Sequence, residues 1–195
     1  PNGYRVAFPA RRATDVSSYG VVVAVKPRVV SGMRPTGKIH IGHLVGALRQ
    51  WAELQSQYDC MYFVADWHAL TSEYAKTDGL TAQTYDNAAD WIAAGVDPDR
   101  STLFIQSLVP EHAELYLLMS MVVPTPWLER VPTHKEQIEQ LAEKDLSMLG
   151  FLGYPLLQGA EVVIYKAQYV PVGEDQVPHL ELNREVVRRF HGFFG

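Results

Sequence analysis

Ser31-Gly32-Met33-Arg34-Pro35-Thr36-Gly37-Lys38-Ile39-His40-Ile41-Gly42-His43 links the apolar pair Val29-Val30 to an amphipathic segment that begins near Leu44. It reads as the turn between a buried first strand and a first helix. Gly32 and Gly37 let backbone approach a ligand, and Pro35 fixes the loop. His40 and His43 stand where the free N–H groups of a helix N-terminus converge, so an anion is expected there. Alone, His-x-Gly-His reads more readily as two surface histidines and a turn glycine. Its setting changes that reading. Leu44, Val45, Leu48, Trp51 and Leu54 recur at helical spacing, so the tetrad opens a helix directly after a strand.

With 195 residues, 47% hydrophobic and 20% charged, the chain can bury one globular core, or one core plus a small insertion. A formal charge of -5 argues against indiscriminate nucleic-acid binding, DNA included, and leaves room only for a local basic contact. The single cysteine, Cys60, excludes an internal disulfide and a thiolate-rich zinc site, and no protein-ligated metal is expected. No apolar stretch approaches the ~20 residues of a membrane span, and no signal peptide opens the sequence, so a cytoplasmic, membrane-free protein is expected. The chain starts at Pro1 and stops at Phe193-Phe194-Gly195 directly after an amphipathic segment, which suggests that both ends are cut.

Residues 1–26 lack any sustained period and read as a loosely attached, poorly ordered extension in which Val21–Val25 could add an edge strand. From Arg28 onward strands and helices alternate. Cys60–Ala65 is a short aromatic-rich run suited to a buried parallel strand, and Asp66-Trp67-His68 follows at its carboxyl end. Thr81–Ala94 predicts a helix with Tyr85, Ala88, Ala89, Ile92 and Ala93 on its buried face. Leu103–Ser107 predicts a strand and Pro110–Met121 a helix, while Lys135–Leu141 reads as a surface helix. Leu146–Tyr165 predicts a core helix kinked at Pro155 and Tyr169–Val172 a short strand. The last helix carries Val177, Leu180, Glu181, Arg184, Val187 and Arg188. This alternation means a parallel α/β sheet with helices on both faces, whose ligands bind beyond the carboxyl ends of the strands. Residues 31–43, 66–68 and 173–176 should therefore converge on one edge. They supply imidazoles, glycines, carboxylates and an amide, a set suited to positioning a nucleotide and a zwitterion. Without a nucleophile elbow, catalysis by positioning and charge stabilisation is expected.

Several segments resemble, in order and spacing, the tryptophanyl-tRNA synthetases of class I. They are Ser31-Gly-Met-Arg-Pro-Thr-Gly, the His40–His43 tetrad, Asp66-Trp-His-Ala-Leu, Leu103-Phe-Ile-Gln-Ser, Leu128-Glu-Arg, Tyr154-Pro-Leu-Leu-Gln and Val170-Pro-Val-Gly-Glu-Asp-Gln-x-x-His-Leu-Glu-Leu. The resemblance covers about residues 28–195. It implies a Rossmann-like catalytic domain over residues 27–195, with a helical insertion around 111–150. It also implies ATP-dependent activation of L-tryptophan to the adenylate, transfer to tRNA(Trp), Mg2+ accompanying ATP with no tightly bound cofactor, and a homodimer. The segment Met119-Ser-Met-Val-Val-Pro offers the dimer an exposed patch.

Carried over residue by residue, Arg34, Pro35, Thr36, Gly42 and His43 line the ATP site with His40 beside the phosphates. Gly173, Glu174 and Asp175 match the adenosine side. Lys135 matches a lysine that reaches the triphosphate. For tryptophan, Gln176 and Tyr154 match groups near the ammonium and His68 one near the carboxylate. Gly32 gives close backbone approach. Val30, Val170 and Val172, which are also ordinary strand core, wall the indole beside Gln158. Glu161 stands where the family presents an aspartate to the indole N–H, and its extra methylene moves the carboxylate by about 1.5 Å. A second departure is that no Lys-Met-Ser-Lys-Ser loop occurs before Gly195, so the domain is expected to be truncated ahead of it. A synthetase relative that binds tryptophan or ATP without efficient activation remains open, as does a small nucleotidyltransferase.

Overall fold

The computed structural model describes residues 4–5, 26–131 and 145–195. The expected strand Val21–Val25, the expected helix Lys135–Leu141 and Lys135 itself lie outside the described residues. Five strands form one sheet in the order β1-β5-β2-β3-β4. They are β1 (Tyr4–Arg5), β2 (Arg28–Met33), β3 (Asp59–Val64), β4 (Ser101–Ile105) and β5 (Tyr169–Val170). β2 pairs in parallel with β3 from Arg28↔Asp59 to Met33↔Val64 and with β5 at Val29↔Tyr169, and β3 pairs in parallel with β4. β1 adds an antiparallel edge through Tyr4↔Val170 and Arg5↔Tyr169, so the N-terminal extension contributes a strand at a place its composition did not mark.

Side chains alternate across the sheet because the strand period is two. On one face Val30, Phe63 and Ala65 pack with Val162, Ala167 and Leu180. On the other, Val29, Cys60, Tyr62 and Val64 pack with Leu48, Trp51, Trp91 and Val96. This is the Rossmann-like arrangement, with helices closing both faces of a parallel sheet. The second face is aromatic: Trp51 stacks on Tyr62 at 4.5 Å, and the Tyr62 hydroxyl donates to the Trp51 carbonyl at 3.0 Å. Burial pushes the Cys60 thiol up, which makes it an inert core side chain.

The helices are α1 (Ile41–His43), which runs through a π-helical stretch (Leu44–Leu48) into α2 (Arg49–Leu54), then α3 (Asp66–Glu73), α4 (Leu80–Ala93), α5 (Glu111–Ser120), α6 (Thr125–Glu129), α7 (Leu149–Ile164) and α8 (Val177–Phe194). Three faces differ from the periodic reading. The wider π turn rotates Val45 to 65% exposure while Leu48 and Trp51 stay buried. In α4 the buried residues are Thr84, Asn87 and Trp91, whereas Tyr85 and Ile92 face outward. Trp91 decides this orientation, because its large ring meets Trp51 edge-on at 5.0 Å. In α8 the core takes His179, Leu180, Leu182, Asn183 and Val186 rather than Glu181, Arg184 or Arg188.

Candidate active site

β2 leads to β3 and β4 on one side, whereas β5 lies on its other side, so the strand order reverses between β2 and β5. A parallel sheet opens a crevice at such a reversal, beyond the carboxyl ends of its strands. A cleft of about 460 Å³ occupies that place. Its lining includes every residue expected to meet the amino acid: Val30, Gly32, His68, Tyr154, Gln158, Glu161, Val170, Val172 and Gln176. Arg34 and Gly173, expected on the nucleotide side, line it too. Pro35 and Thr36 border a neighbouring recess of about 260 Å³ beside Glu73 and Lys76. His40, Gly42, His43, Glu174 and Asp175 line neither cavity, and Lys135 lies outside the described residues.

The most buried polar side chain in the cleft lining is Glu161, 2% exposed on α7. His68, at the third position of α3, brings its Nε2 to 3.0 Å from Glu161 Oε1 and 3.2 Å from Oε2. Gln106 donates from Nε2 to the same Oε1, and its own Oε1 accepts the amides of Trp67 at 3.0 Å and His68 at 3.3 Å. A carboxylate buried this far is tolerable because both donors reach it. Gln106 lies inside the motif Leu103-Phe-Ile-Gln-Ser, and the sequence alone gives it no role. The available signal was a long amide following the apolar end of a strand, which marks a polar group at the ligand edge.

The cleft walls follow from the strand ends. Gly32 is required by close approach: a Cβ there would stand 2.5 Å from the Phe63 ring. Tyr154 from α7 brings its hydroxyl to 3.1 Å from His179 Nε2 on α8. Burial holds His179 well below the usual imidazole range, at about 4, so it is neutral at pH 7. Gln176 donates to Asp175 at 2.7 Å, which ties the cleft residue to the acid expected on the adenosine side.

The histidine tetrad caps itself. His40 Nδ1 accepts the Gly42 amide at 3.1 Å, His43 Nδ1 faces the His40 amide at 3.4 Å, and the rings stack at 3.9 Å. Backbone donors on both Nδ1 atoms place the proton of each neutral ring on Nε2, directed away from the helix. Partial burial, and then the neighbouring His40, hold His43 below its ordinary value and favour that neutral form. The preceding loop is fastened by α4, where Asn87 donates to the Gly37 carbonyl at 3.2 Å and Gln83 accepts the Gly37 amide at 3.3 Å. Gly37 sits at φ +106°, a conformation that suits glycine. Among the described residues no cluster of three or more His, Cys, Asp or Glu is placed to hold a metal ion, and no helix is long and apolar enough to cross a membrane.

A parallel sheet with this reversal, and a histidine tetrad opening the helix after its central strand, defines the catalytic unit of a class I synthetase. The family described as tRNA synthetases class I (W and Y) matches residues 24–195, and the chain belongs to that family. It is 61% identical over 168 residues to a tryptophan--tRNA ligase from Ralstonia nicotianae, covering 86% of this chain and 42% of that protein. A tryptophan--tRNA ligase from Thermotoga maritima is 58% identical over 165 residues, covering 84% of this chain and 50% of that protein. Among solved structures, tryptophanyl-tRNA synthetase from Campylobacter jejuni, complexed with ADP and tryptophan, superposes with a TM-score of 0.80 at 32% identity. That match covers 86% of this chain and 51% of the other. The chain thus spans about half the length of the relatives it matches.

Proposed function

We propose that this chain forms the substrate-binding half of a tryptophan--tRNA ligase. The observation that carries the reading is the buried Glu161 acceptor at the floor of a switch-point cleft walled by Val30, Val170 and Val172. An indole fits such a site, because its apolar faces meet aliphatic walls while its one N–H needs an acceptor. Tyr154 and Gln176 take the ammonium, and His68 stands near the carboxylate. A carboxylate oxygen of tryptophan attacks the α-phosphorus of ATP, the bond to the bridging oxygen breaks, and pyrophosphate leaves with Mg2+. A terminal ribose hydroxyl of tRNA(Trp) then attacks the adenylate carbonyl and AMP departs. The Nε2–H donors of His40 and His43, with Arg34, face charge that grows on the phosphates in the first step, and Lys135 is given the same task by the family resemblance alone. Gly42 and Thr36 give backbone approach beside Pro35, and Gly173, Glu174 and Asp175 hold the adenosine side.

The reaction is assigned to the cytoplasm and to a homodimer. The outer face of α5 supports the dimer: Leu117 and Leu118 are each 56% exposed, and Met121 at the end of the helix is 70% exposed. The expected patch is adjusted in one respect, since Met119 points into the core at 3% exposure. ATP–pyrophosphate exchange with the full-length protein tests the function. Exchange that depends on tryptophan and is negligible with tyrosine is expected. Tryptophan binding without exchange would instead identify a non-activating relative.

A further inference from the structure

We propose that Gln106 is a positioning residue that sets the tryptophan affinity of the cleft, by holding the Glu161 carboxylate and the start of α3 in one fixed relation. The inference rests on the proposed function and deepens it. Gln106 is fully buried, and its amide has one permitted orientation. Oε1 must face the N–H groups of Trp67 and His68, so the NH2 end must face Glu161. Glu161 Oε1 is thereby fixed as an acceptor, and a ligand N–H is the kind of group that such a carboxylate takes. A glutamate has one more rotatable bond than the family's aspartate, and the Gln106 and His68 donors remove that added freedom.

Gln106 is itself anchored from a third element. Its carbonyl accepts from His112 Nδ1 at 3.1 Å, and His112 Nε2 accepts from the Tyr165 hydroxyl at 2.8 Å. The next amide, Ser107 N–H, donates to Asp66 at 3.0 Å. The end of β4 therefore ties α3, α5 and α7 together through this residue. Removing its side chain takes one donor from the Glu161 carboxylate and the shared acceptor from the Trp67 and His68 amides, and through Glu161 it loosens the His68 imidazole.

The experiment uses the full-length protein, with Gln106→Leu and Gln106→Glu compared with wild type by ATP–pyrophosphate exchange. Gln106→Leu should raise the tryptophan KM about tenfold or more and leave the ATP KM within about twofold. Gln106→Glu places a second carboxyl against Glu161. It should be equally weak at about pH 8 and recover as pH falls toward about 5.5, because a proton shared by the two acids restores the missing donor. His68, His112, Tyr165 and His179 face the same region, so the wild-type profile over that range is the reference. A tryptophan KM within twofold of wild type in Gln106→Leu, or a pH-independent loss in Gln106→Glu, overturns the proposal. Loss of cooperative melting in both variants overturns it too, making Gln106 a folding residue. If wild type fails to bind tryptophan, the proposed function falls. The His68 imidazole resonances of the ligand-free protein then still decide the positioning role, since identical resonances in Gln106→Leu would refute it.

Discussion

Glu161 carries the most chemistry per atom in this molecule. Its oxygens meet Gln106 and His68, so shortening the side chain withdraws it from both donors. Glu161→Asp is expected to weaken tryptophan binding several-fold, because it leaves the fully buried Gln106 amide short of an acceptor. Glu161→Gln should bind less tightly than wild type and Glu161→Ala least, with a loss of about 1 to 3 kcal/mol in calorimetric titration. Tryptophan affinity unchanged from wild type in both Glu161→Gln and Glu161→Ala would leave the acid a structural role only. His179 supplies a pH signature at the same scale. Its folded value, about 4, lies below the ordinary imidazole value of 6.5, so the unfolded chain binds more protons between those values. Stability from this group is complete above about pH 6.5 and is lost on acidification toward pH 4, by up to about 3 kcal/mol. Urea midpoints measured against pH should therefore fall less steeply in His179→Gln than in wild type.

At the scale of elements, the end of β2 fits against β3 only because its penultimate residue has no side chain. Gly32 lies against Phe63, which is 4% exposed and packed in the core, so an added methyl group has nowhere to go. Gly32→Ala should cost about 1 to 3 kcal/mol by overpacking. Phe63→Leu in the same chain should recover part of that loss, a coupling that a double-mutant cycle in urea would measure. α4 plays a different part. It buries Asn87 and directs it to the Gly37 carbonyl, fastening the loop ahead of the histidine tetrad from outside the cleft.

For the whole molecule, the sheet separates two packing layers, and the α5 outer face remains as an exposed apolar surface of Leu117, Leu118 and Met121. If this face joins two copies, a charge placed on it breaks the pair at little cost to the fold, because these side chains make little of the core. Leu118→Glu in the full-length protein is expected to sediment as a monomer at micromolar concentration with an unchanged melting temperature. A dimer that persists would move the interface elsewhere.

Much of this arrangement was legible in the chain before any coordinate. Short apolar runs ending in glycine, imidazole or acid mark parallel strands and their carboxyl ends, and local geometry then sends Gly32, His68 and Gly173 to one edge. The same local rules place His40 at the cap of α1, since a helix must satisfy its first amides. Tertiary structure alone decided the buried face of α4. A 3.6-residue period groups Tyr85 with Ile92 as readily as Thr84 with Trp91, and only the neighbouring Trp51 ring selects between them. It decided the edge strand at Tyr4–Arg5, whose pairing with Tyr169–Val170 spans most of the chain. It also decided the role of Gln106, whose partner Glu161 lies 55 residues away. Contacts across such separations depend on which elements come to lie side by side, and that is settled by packing of the whole core.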